Sequence, residues 1–354
     1  MTTLSLCMIV INEEDVLVRC LKSANGIFDE IIIVDTGSTD ATKSIALSFT
    51  PKVHSFLWID DFAAARNFAF SKASCEYIMW LDADDVIPSE AKERLLQLKA
   101  NFPKNISTVM MKYDVAFDES GSATLSYYRE RIMKNCPLAK WEGAVHEVVT
   151  PFGEILYFDS AIAHRKEKPA PSGRNLKIYE SRIKQGAAFS PRDRFYYSRE
   201  LYYNARYADA IREIEVFLRS GEGWIENNID ACRILSYCHS AKNDNASALL
   251  ALMRTFEYDT PRAETCCDIG KHFFISEKFV QAIYWYERAL DCKRDDNSLA
   301  FIRPECYGYV PAIQLCVCHW KMGNRDTAIA ANELAGTFKP GDAAVRANRM
   351  FFGQ

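Results

Sequence analysis

Three aspartates stand directly after a short apolar run in the first quarter of the chain. Residues 77–81 contain no turn former and indicate a buried strand, which is followed at once by Asp82, Asp84 and Asp85. Asp82 and Asp84 are two positions apart, so strand geometry would place both side chains on one side. Such carboxylates repel each other, and a hard divalent cation that also binds phosphate oxygens suits them. The alternative is a strand that ends in a solvated acidic turn.

The preceding segments predict how these aspartates are positioned. Apolar runs at residues 4–11, 30–35 and 53–57 indicate strands, and helical patterns at 15–24, from 41 onward and at 60–74 separate them. This alternation predicts a mostly parallel α/β sheet, in which ligands bind beyond the carboxyl ends of the strands. Three strands end in polar groups, which are Asn12-Glu13, Asp35-Thr36-Gly37-Ser38 and Asp82-Ala83-Asp84. Their convergence favours a nucleotide site, although neither a P-loop nor a dinucleotide-binding glycine turn is present.

The pattern changes after Asp85. Residues 89–100 predict a helix, and residues 107–117 and 123–134 alternate as two strands joined by residues 118–121. These strands are expected to add to the sheet in antiparallel fashion. A further strand at residues 155–163 ends at His164, and residues 166–173 have the composition of a linker.

The second half of the chain predicts paired helices. From residue 191 to 340 helical patterns alternate with short turns, and Ala210, Ala248, Ala282 and Ala328 occupy equivalent places at steps of 38, 34 and 46 residues. Tetratricopeptide repeats have a period of about 34 residues with small side chains where the helices touch. The longer last step is expected to hold an inserted loop near residues 295–304.

The bulk composition limits the classes of protein to consider. A length of 354 residues favours two domains, and a net charge of −4 gives no reason to expect a nucleic-acid partner. Twelve cysteines without a Cys-x-x-Cys pair are typical of a reduced cytoplasm rather than of a disulfide framework. The N-terminal apolar run is too short to span a membrane and lacks a basic leader. We therefore expect a cytoplasmic protein without a transmembrane segment.

Five ordered motifs resemble those of family 2 glycosyltransferases with the GT-A fold. They lie at residues 8–14, 34–40, 61–67, 81–84 and 141–147. The motifs at 61–67 and 141–147 resemble those of a bacterial branch that contains lipopolysaccharide-core glucosyltransferases and the peptide S-glycosyltransferases of glycosylated bacteriocins. The resemblance covers about the first half of the chain. It implies a Rossmann-like α/β GT-A domain in residues 1–170, and the sequence patterns described above place after it a linker or helix in 171–190 and an all-α tetratricopeptide-like domain in 191–354.

The resemblance also implies roles for individual residues in binding a UDP-sugar and Mg²⁺ or Mn²⁺. The uridine would be held by Ile11, Asn12, Glu13 and Asp35. Arg66 and Asn67 would close the nucleotide pocket, Asp82 would face the ribose or the metal, and Asp84 would be the principal metal ligand. The alternative for Arg66 is a surface salt bridge on a helix, which stabilises little. Trp141 is either a core side chain or part of the sugar site.

An inverting transfer needs one base to deprotonate the acceptor. Many family members place that base in a Glu-Asp pair, which is missing here, and Val145-His146-Glu147 stands in its place. We therefore expect Glu147 to be the base and His146 to be its catalytic neighbour or a metal ligand. The sequence leaves open whether His146 or His164 binds metal, and either could instead be held by a backbone carbonyl.

Together these features predict an inverting, metal-dependent transfer of a hexose from a UDP-sugar to a Cys, Ser or Thr side chain of a peptide or protein. One alternative acceptor is a glycan or a lipopolysaccharide core. An alternative of another class is a catalytically inactive scaffold whose repeats bind a protein, although intact Asp82, Asp84 and Glu147 argue against it. The repeats are expected either to select a polypeptide acceptor or to pair two subunits as a homodimer.

Overall fold

The computed structural model describes residues 2–117, 121, 123–167, 173–294 and 302–353. Within it the chain divides into two compact units, Met1–Ala188 and Phe189–Gln354. The division falls inside the segment 171–190 that was predicted as linker or helix. The predicted strand connection at 118–120, part of the predicted linker and most of the predicted loop near 295–304 lie outside the described residues.

Among its described residues, the first unit carries ten strands and five helices. The strands are β1 (Leu4–Val10), β2 (Glu30–Asp35), β3 (Val53–Ser55), β4 (Tyr77–Trp80), β5 (Asp85–Val86), β6 (Ile106–Phe117), β7 (Ala123–Lys134), β8 (Trp141–Glu142), β9 (Val148–Val149) and β10 (Glu154–His164). The helices are α1 (Leu17–Ala24), α2 (Thr42–Phe49), α3 (Phe62–Phe70), α4 (Ser89–Ala100) and α5 (Arg174–Lys184).

Eight of these strands form one mixed sheet in the order β3-β2-β1-β4-β7-β6-β10-β5. The first four are parallel to one another, which confirms the predicted parallel arrangement. Their continuous apolar sequences are typical of parallel strands that are covered on both faces. β6 and β7 join in antiparallel fashion as predicted, and β10 adds to β6 in parallel. Strands β8 and β9 form a separate two-stranded sheet.

Several predicted elements are shorter in the structure, among them the third strand and the helix that follows it. The third strand was predicted at 53–57 but ends at Ser55. The following helix was predicted at 60–74 but spans Phe62–Phe70, because the Asp61 side chain caps it by accepting from the Ala64 N–H at 2.8 Å. The cap therefore fixes the start of the helix that carries Arg66 and Asn67.

Glu30 stabilises the end of the sheet remote from the polar strand ends. It is buried and accepts hydrogen bonds from Lys52, from the Ser5 hydroxyl at 2.5 Å and from the Ser74 N–H at 2.8 Å. Burial opposes its charge, but these hydrogen bonds lower the pKa of Glu30 from 4.5 to about 2.

Replacing Glu30 with Gln should therefore destabilise the protein in a pH-dependent way. A depressed pKa contributes stability above pH 4.5 that is lost as the pH falls toward 2. We expect E30Q to lower the free energy of unfolding by about 1–3 kcal/mol at pH 7. Urea unfolding of both proteins between pH 7 and pH 2 measures the difference, which should shrink below pH 4.5. A difference that grows as the pH falls would contradict the assignment.

The second unit is helical throughout its described elements. The α-helices are α6 (Pro191–Tyr203), α7 (Tyr207–Ser220), α8 (Ile225–Ala241), α9 (Asn245–Arg254), α10 (Ala263–Ile275), α11 (Phe279–Asp291), α12 (Tyr309–Lys321), α13 (Arg325–Phe338) and α14 (Ala343–Phe352). The four repeated alanines lie on α7, α9, α11 and α13 and are fully buried. This burial confirms the prediction that small residues mark the contacts between paired helices. Among the described residues of the chain, every helix is too short or too polar to cross a membrane.

Candidate functional site

The polar ends of β1 and β2 interlock. The Asn12 N–H donates to the Ser38 hydroxyl at 3.0 Å, and the Asn12 side-chain oxygen accepts from the Thr39 N–H at 2.8 Å. The Ser38 N–H in turn donates to the Asp35 carboxylate at 3.1 Å. Asn12 has a φ of +52°, a left-handed conformation that Asn tolerates better than most residues. The two strand ends that the sequence predicted to converge are therefore in direct contact.

Arg66 joins two of the predicted site residues. Its Nη2 donates to Asp82 at 2.7 Å and its Nε donates to Glu147 at 2.7 Å. The guanidinium carbon lies 5.1 Å from the Trp80 ring centre and 4.8 Å from that of Trp141. Only 8% of Arg66 is exposed, so the alternative of a surface salt bridge is excluded. The structure thus brings together the predicted ribose or metal carboxylate and the predicted base.

This arrangement keeps Asp82 ionised. Burial by itself would raise the pKa of Asp82, but the Arg66 guanidinium lowers it below its usual value. The carboxylates of Asp82 and Glu147 in turn raise the pKa of Arg66, against the opposing effect of burial. Arg66 and Asp82 therefore both remain charged across the physiological pH range.

Removing Arg66 should leave Asp82 and Glu147 without the cation that donates a hydrogen bond to both carboxylates. Loss of one partner from a buried ion pair costs about 3–5 kcal/mol, so we expect R66M to lower the free energy of unfolding by about that amount. Chemical denaturation at pH 7 measures it. R94M is the matched control, because Arg94 pairs with Glu90 and Asp159 on the surface and should contribute less than about 1 kcal/mol. Equal losses in the two variants would contradict the buried network.

Asp85 anchors the acidic turn and was not assigned a role from the sequence. It is fully buried, and its carboxylate accepts from the Tyr113 hydroxyl at 2.8 Å, from Arg131 at 3.1 Å and from the Asp82 N–H at 3.1 Å. The turn is therefore held by a buried carboxylate, which excludes a purely solvated acidic turn. The sequence signal for Asp85 was its place as the third acidic residue directly after an apolar strand. Its side-chain partners Tyr113 and Arg131, however, lie 28 and 46 residues away.

Asp84, Asp85 and His164 form a cluster that could hold a metal ion. One ligand atom from each lies within 4.8 Å of the others, and His164 Nδ1 is 3.3 Å from Asp84 and 3.2 Å from Asp85. The Asp85 carboxylate already accepts from Arg131 and from the Tyr113 hydroxyl, which also lies 2.7 Å from His164 Nδ1, so Asp84 has the carboxylate with fewer competing partners. Carboxylate oxygen is a ligand that suits both Mg²⁺ and Mn²⁺, whereas imidazole nitrogen suits transition metals, so this mixed donor set fits Mn²⁺ better than Mg²⁺. Within the described part of the chain, His146 lies outside this cluster.

The two carboxylates favour the protonated form of His164. Partial burial opposes protonation of His164, but its hydrogen bonds to Asp84 and Asp85 raise its pKa to about 10. A metal ion that binds here would displace this proton, as metal binding to histidine generally does.

The segment around Glu147 is positioned by Asn67 and Trp141. The Asn67 side-chain amide donates to the Trp141 carbonyl at 2.9 Å and its oxygen accepts from the Trp141 N–H at 2.8 Å. Trp141 is 2% exposed and packs against Trp80, so it is a core side chain rather than a surface for a sugar ring. His146 follows with a φ of +55°, which orients the turn before Glu147.

Two residues of β7 hold the same segment from the other side. Arg129 Nη2 lies 3.5 Å from the Glu147 carbonyl oxygen, and the Glu130 carboxylate accepts from the Val149 N–H at 3.4 Å. Arg129 also lies 5.0 Å from the Trp80 ring centre. Sequence reasoning missed both residues, because their strand showed only alternation and no motif.

All these groups lie at the carboxyl ends of the adjacent parallel strands β2, β1 and β4 or on segments packed against them. The predicted residues fall into two sets. The first set consists of Ile11, Asn12 and Glu13, which follow β1, and Asp35, which ends β2. Asn12 and Asp35 are linked through Ser38. Arg66, Asp82 and Glu147 form the second set, beside the cluster of Asp84 and His164.

Comparison with known proteins gives matches for both parts of the chain. Residues 5–150 match the family model described as Glycosyl transferase family 2. A TPR repeat-containing protein of Synechococcus elongatus is 34% identical over 170 residues, which are 48% of this chain and 39% of that protein. The SPbeta prophage-derived glycosyltransferase SunS of Bacillus subtilis is 25% identical over 282 residues, or 75% of this chain and 65% of SunS. The chain thus spans less than two thirds of the length of these relatives.

Among solved structures, MamA superposes with a TM-score of 0.34 and 19% identity over 44% of this chain and 84% of MamA. Glucosyl-3-phosphoglycerate synthase from Mycobacterium tuberculosis, in complex with Mn²⁺, UDP-glucose and phosphoglyceric acid, gives a TM-score of 0.27 and 22% identity over 32% of this chain and 44% of the synthase. Likeness at this level supports no inference about a ligand.

Proposed function

We propose that this protein is an inverting, metal-dependent glycosyltransferase that moves a hexose from a UDP-sugar to a peptide or protein side chain, and the match of residues 5–150 to the model of glycosyl transferase family 2 supports this. One observation carries the proposal. Arg66 holds Asp82 and Glu147 together at 2.7 Å each, beside the acidic turn that carries Asp84. A carboxylate suited to nucleotide or metal and a carboxylate suited to act as base therefore share one site.

The donor would bind at the interlocked ends of β1 and β2. Ile11, Asn12, Glu13 and Asp35 would hold the uridine, and the turn between Asp35 and Ser38 would fix the register of that surface. Arg66 and Asn67 lie on α3 beside this edge, where they position Asp82 and Trp141. Their effect on the nucleotide would accordingly be exerted through those contacts.

Asp84 and His164 would hold Mg²⁺ or Mn²⁺, with Asp82 close by for the ribose or the metal. Such an ion, when bound, would stabilise the charge on the departing diphosphate. We prefer His164 to the predicted ligand His146, since His164 contacts Asp84 at 3.3 Å. The Asp85 carboxylate already accepts hydrogen bonds from Arg131 and Tyr113. It would therefore orient both ligands.

Glu147 would accept the proton of the acceptor as the nucleophile attacks the anomeric carbon. A single base is what an inverting displacement requires. Arg66 fixes the carboxylate on one side and Arg129 lies at the Glu147 carbonyl on the other. Among the possible acceptors, a cysteine thiol would need this base least, because a fraction of the thiol is already ionised near neutral pH. The helical repeats support a polypeptide acceptor, since paired-helix arrays commonly bind peptides.

Calorimetric titration of UDP with and without Mn²⁺ tests the proposal. We expect Mn²⁺ to strengthen UDP binding and H164A to weaken the metal-dependent part by about tenfold or more, because a ligand is lost. H239A is the matched control, since His239 pairs with Asp244 in the second unit. UDP binding that is absent or independent of Mn²⁺ would favour the alternative of an inactive repeat scaffold. Transfer to oligosaccharides alone would favour a glycan acceptor.

A further inference from the structure

Strand β7 has a long edge that pairs with no described strand. Its residues Ile132–Lys134 pair with β4, whereas Ala123–Glu130 pair with β6 on one side alone within the described sheet. In an antiparallel strand, alternate N–H and C=O groups point away from the partner. At Glu130 the backbone carbonyl already accepts a hydrogen bond from the Trp80 indole N–H at 2.5 Å. From residue 123 to 129, then, this edge offers backbone groups to an incoming strand.

The other edges of the sheet are protected. Natural proteins shorten edge strands, place charges on them or cover them. The terminal strands β3 and β5 have three and two residues. The outer edge of β10 carries Glu154 and Asp159, and Arg94 of α4 donates to the Asp159 carbonyl at 2.5 Å. Residues 123–128 of β7 are Ala-Thr-Leu-Ser-Tyr-Tyr, with neither charge nor proline. Residues 123–128 of β7 therefore form a long edge segment that lacks these protecting features.

The side chains of β7 connect this edge to the proposed base. Leu125, Tyr127 and Arg129 alternate along the strand and so share one face. Leu125 is 40% exposed and Tyr127 is 42% exposed, with the Tyr127 ring 5.9 Å from that of Tyr113. Arg129 then reaches the Glu147 carbonyl. An apolar, exposed surface therefore runs along the strand to the segment that carries Glu147.

We propose that an extended peptide acceptor pairs with the free edge of β7 between Leu125 and Arg129 and presents a Cys, Ser or Thr side chain to Glu147. The inference rests on the proposed function and specifies its acceptor. A peptide supplies backbone donors and acceptors at the strand spacing of about 3.4 Å per residue, whereas a saccharide has no such repeat. Alternate peptide side chains would pack on Leu125 and Tyr127.

The chemical step balances on these groups. The acceptor sulfur or oxygen forms a bond to the anomeric carbon of the hexose, and the bond from that carbon to the diphosphate oxygen breaks. The electron pair of that bond leaves with UDP, and the acceptor proton passes to Glu147.

The test places charges on the edge of the full-length protein. The probes are synthetic ten-residue peptides of random sequence with one central Cys, Ser or Thr, incubated with UDP-glucose, UDP-galactose or UDP-N-acetylglucosamine and analysed by mass spectrometry. We expect the double variant L125K/Y127K to raise the KM for modified peptides by about tenfold or more while UDP affinity is kept. The matched control is L47K/L96K on α2 and α4, where the side chains are 54% and 39% exposed. It should behave as the unmodified protein.

Hydrogen exchange on the unmodified protein gives a second measurement that does not depend on the variants folding. Addition of a modified peptide should slow exchange of amides within residues 123–130. Unchanged exchange there, an unchanged peptide KM in L125K/Y127K, or donor hydrolysis without transfer to any peptide would overturn the inference. Absence of turnover with every UDP-sugar would instead overturn the proposed function itself, and the inference with it.

Discussion

Replacing Asp84 with Asn should reduce sugar transfer by several orders of magnitude while leaving the fold intact. The substitution keeps the size of the side chain but removes the charge that would hold the cation against the diphosphate. Asp84 is 21% exposed and pairs with His164 at 3.3 Å. Its loss therefore removes a ligand from the cluster without opening a cavity in the core. Steady-state transfer at saturating Mn²⁺, with thermal unfolding in parallel, measures both effects.

The control for this variant is D159N. Asp159 is also paired, with Arg94 and Lys112, but it lies on the surface far along the chain from the acidic turn. D159N should keep wild-type transfer. Near-wild-type turnover of D84N at saturating Mn²⁺ would refute the metal assignment, whatever the effect on stability.

Glu147→Gln should abolish most transfer while UDP-sugar binding is retained. The base acts on the acceptor rather than on the donor, and removal of a general base commonly costs about 10²–10⁴-fold. The loss should be smaller for a thiol acceptor, which is partly ionised without help. The amide oxygen of Gln can still accept from Arg66, which would preserve the local geometry. Single-turnover transfer and calorimetric donor binding separate the two effects.

Glu142 provides the comparison for Glu147. It lies on the same short segment, at the end of β8, but is exposed. E142Q should therefore transfer sugar at the wild-type rate. If E147Q lost donor binding in proportion to turnover, Glu147 would be a structural residue or a metal ligand rather than the base.

The periodicity of the sequence predicted the longer elements but not the two-residue strands β5, β8 and β9. Apolar runs and helical spacing are local properties, so β1, β2, β4 and their parallel order followed from them, as did the antiparallel pair β6 and β7. The repeated alanines predicted the packing of paired helices for the same reason. Polar residues at successive strand ends could likewise be predicted to converge, because parallel strands place those ends at one edge of a sheet.

The partners within the site were decided by tertiary packing. Arg66 meets Asp82 from 16 residues away and Glu147 from 81 residues away, and no local pattern encodes either contact. The choice between His146 and His164 also depended on the return of β10 beside β5, which brings His164 to the acidic turn. Such contacts are long-range, so they become visible only when the chain is folded.

The amino-acid sequence by itself determined the chemistry available to this protein, through carboxylates at a strand end and a base candidate in a distant motif. The tertiary structure alone decided which charges are buried together. Asp85 anchors the acidic turn because its carboxylate accepts hydrogen bonds from Arg131 and Tyr113. Trp141 lies in the core because Asn67 binds its backbone and Arg66 packs over its ring. The physical reason is that burying a charge is favourable only beside its counter-charge, a condition set by packing in three dimensions and not by spacing along the chain.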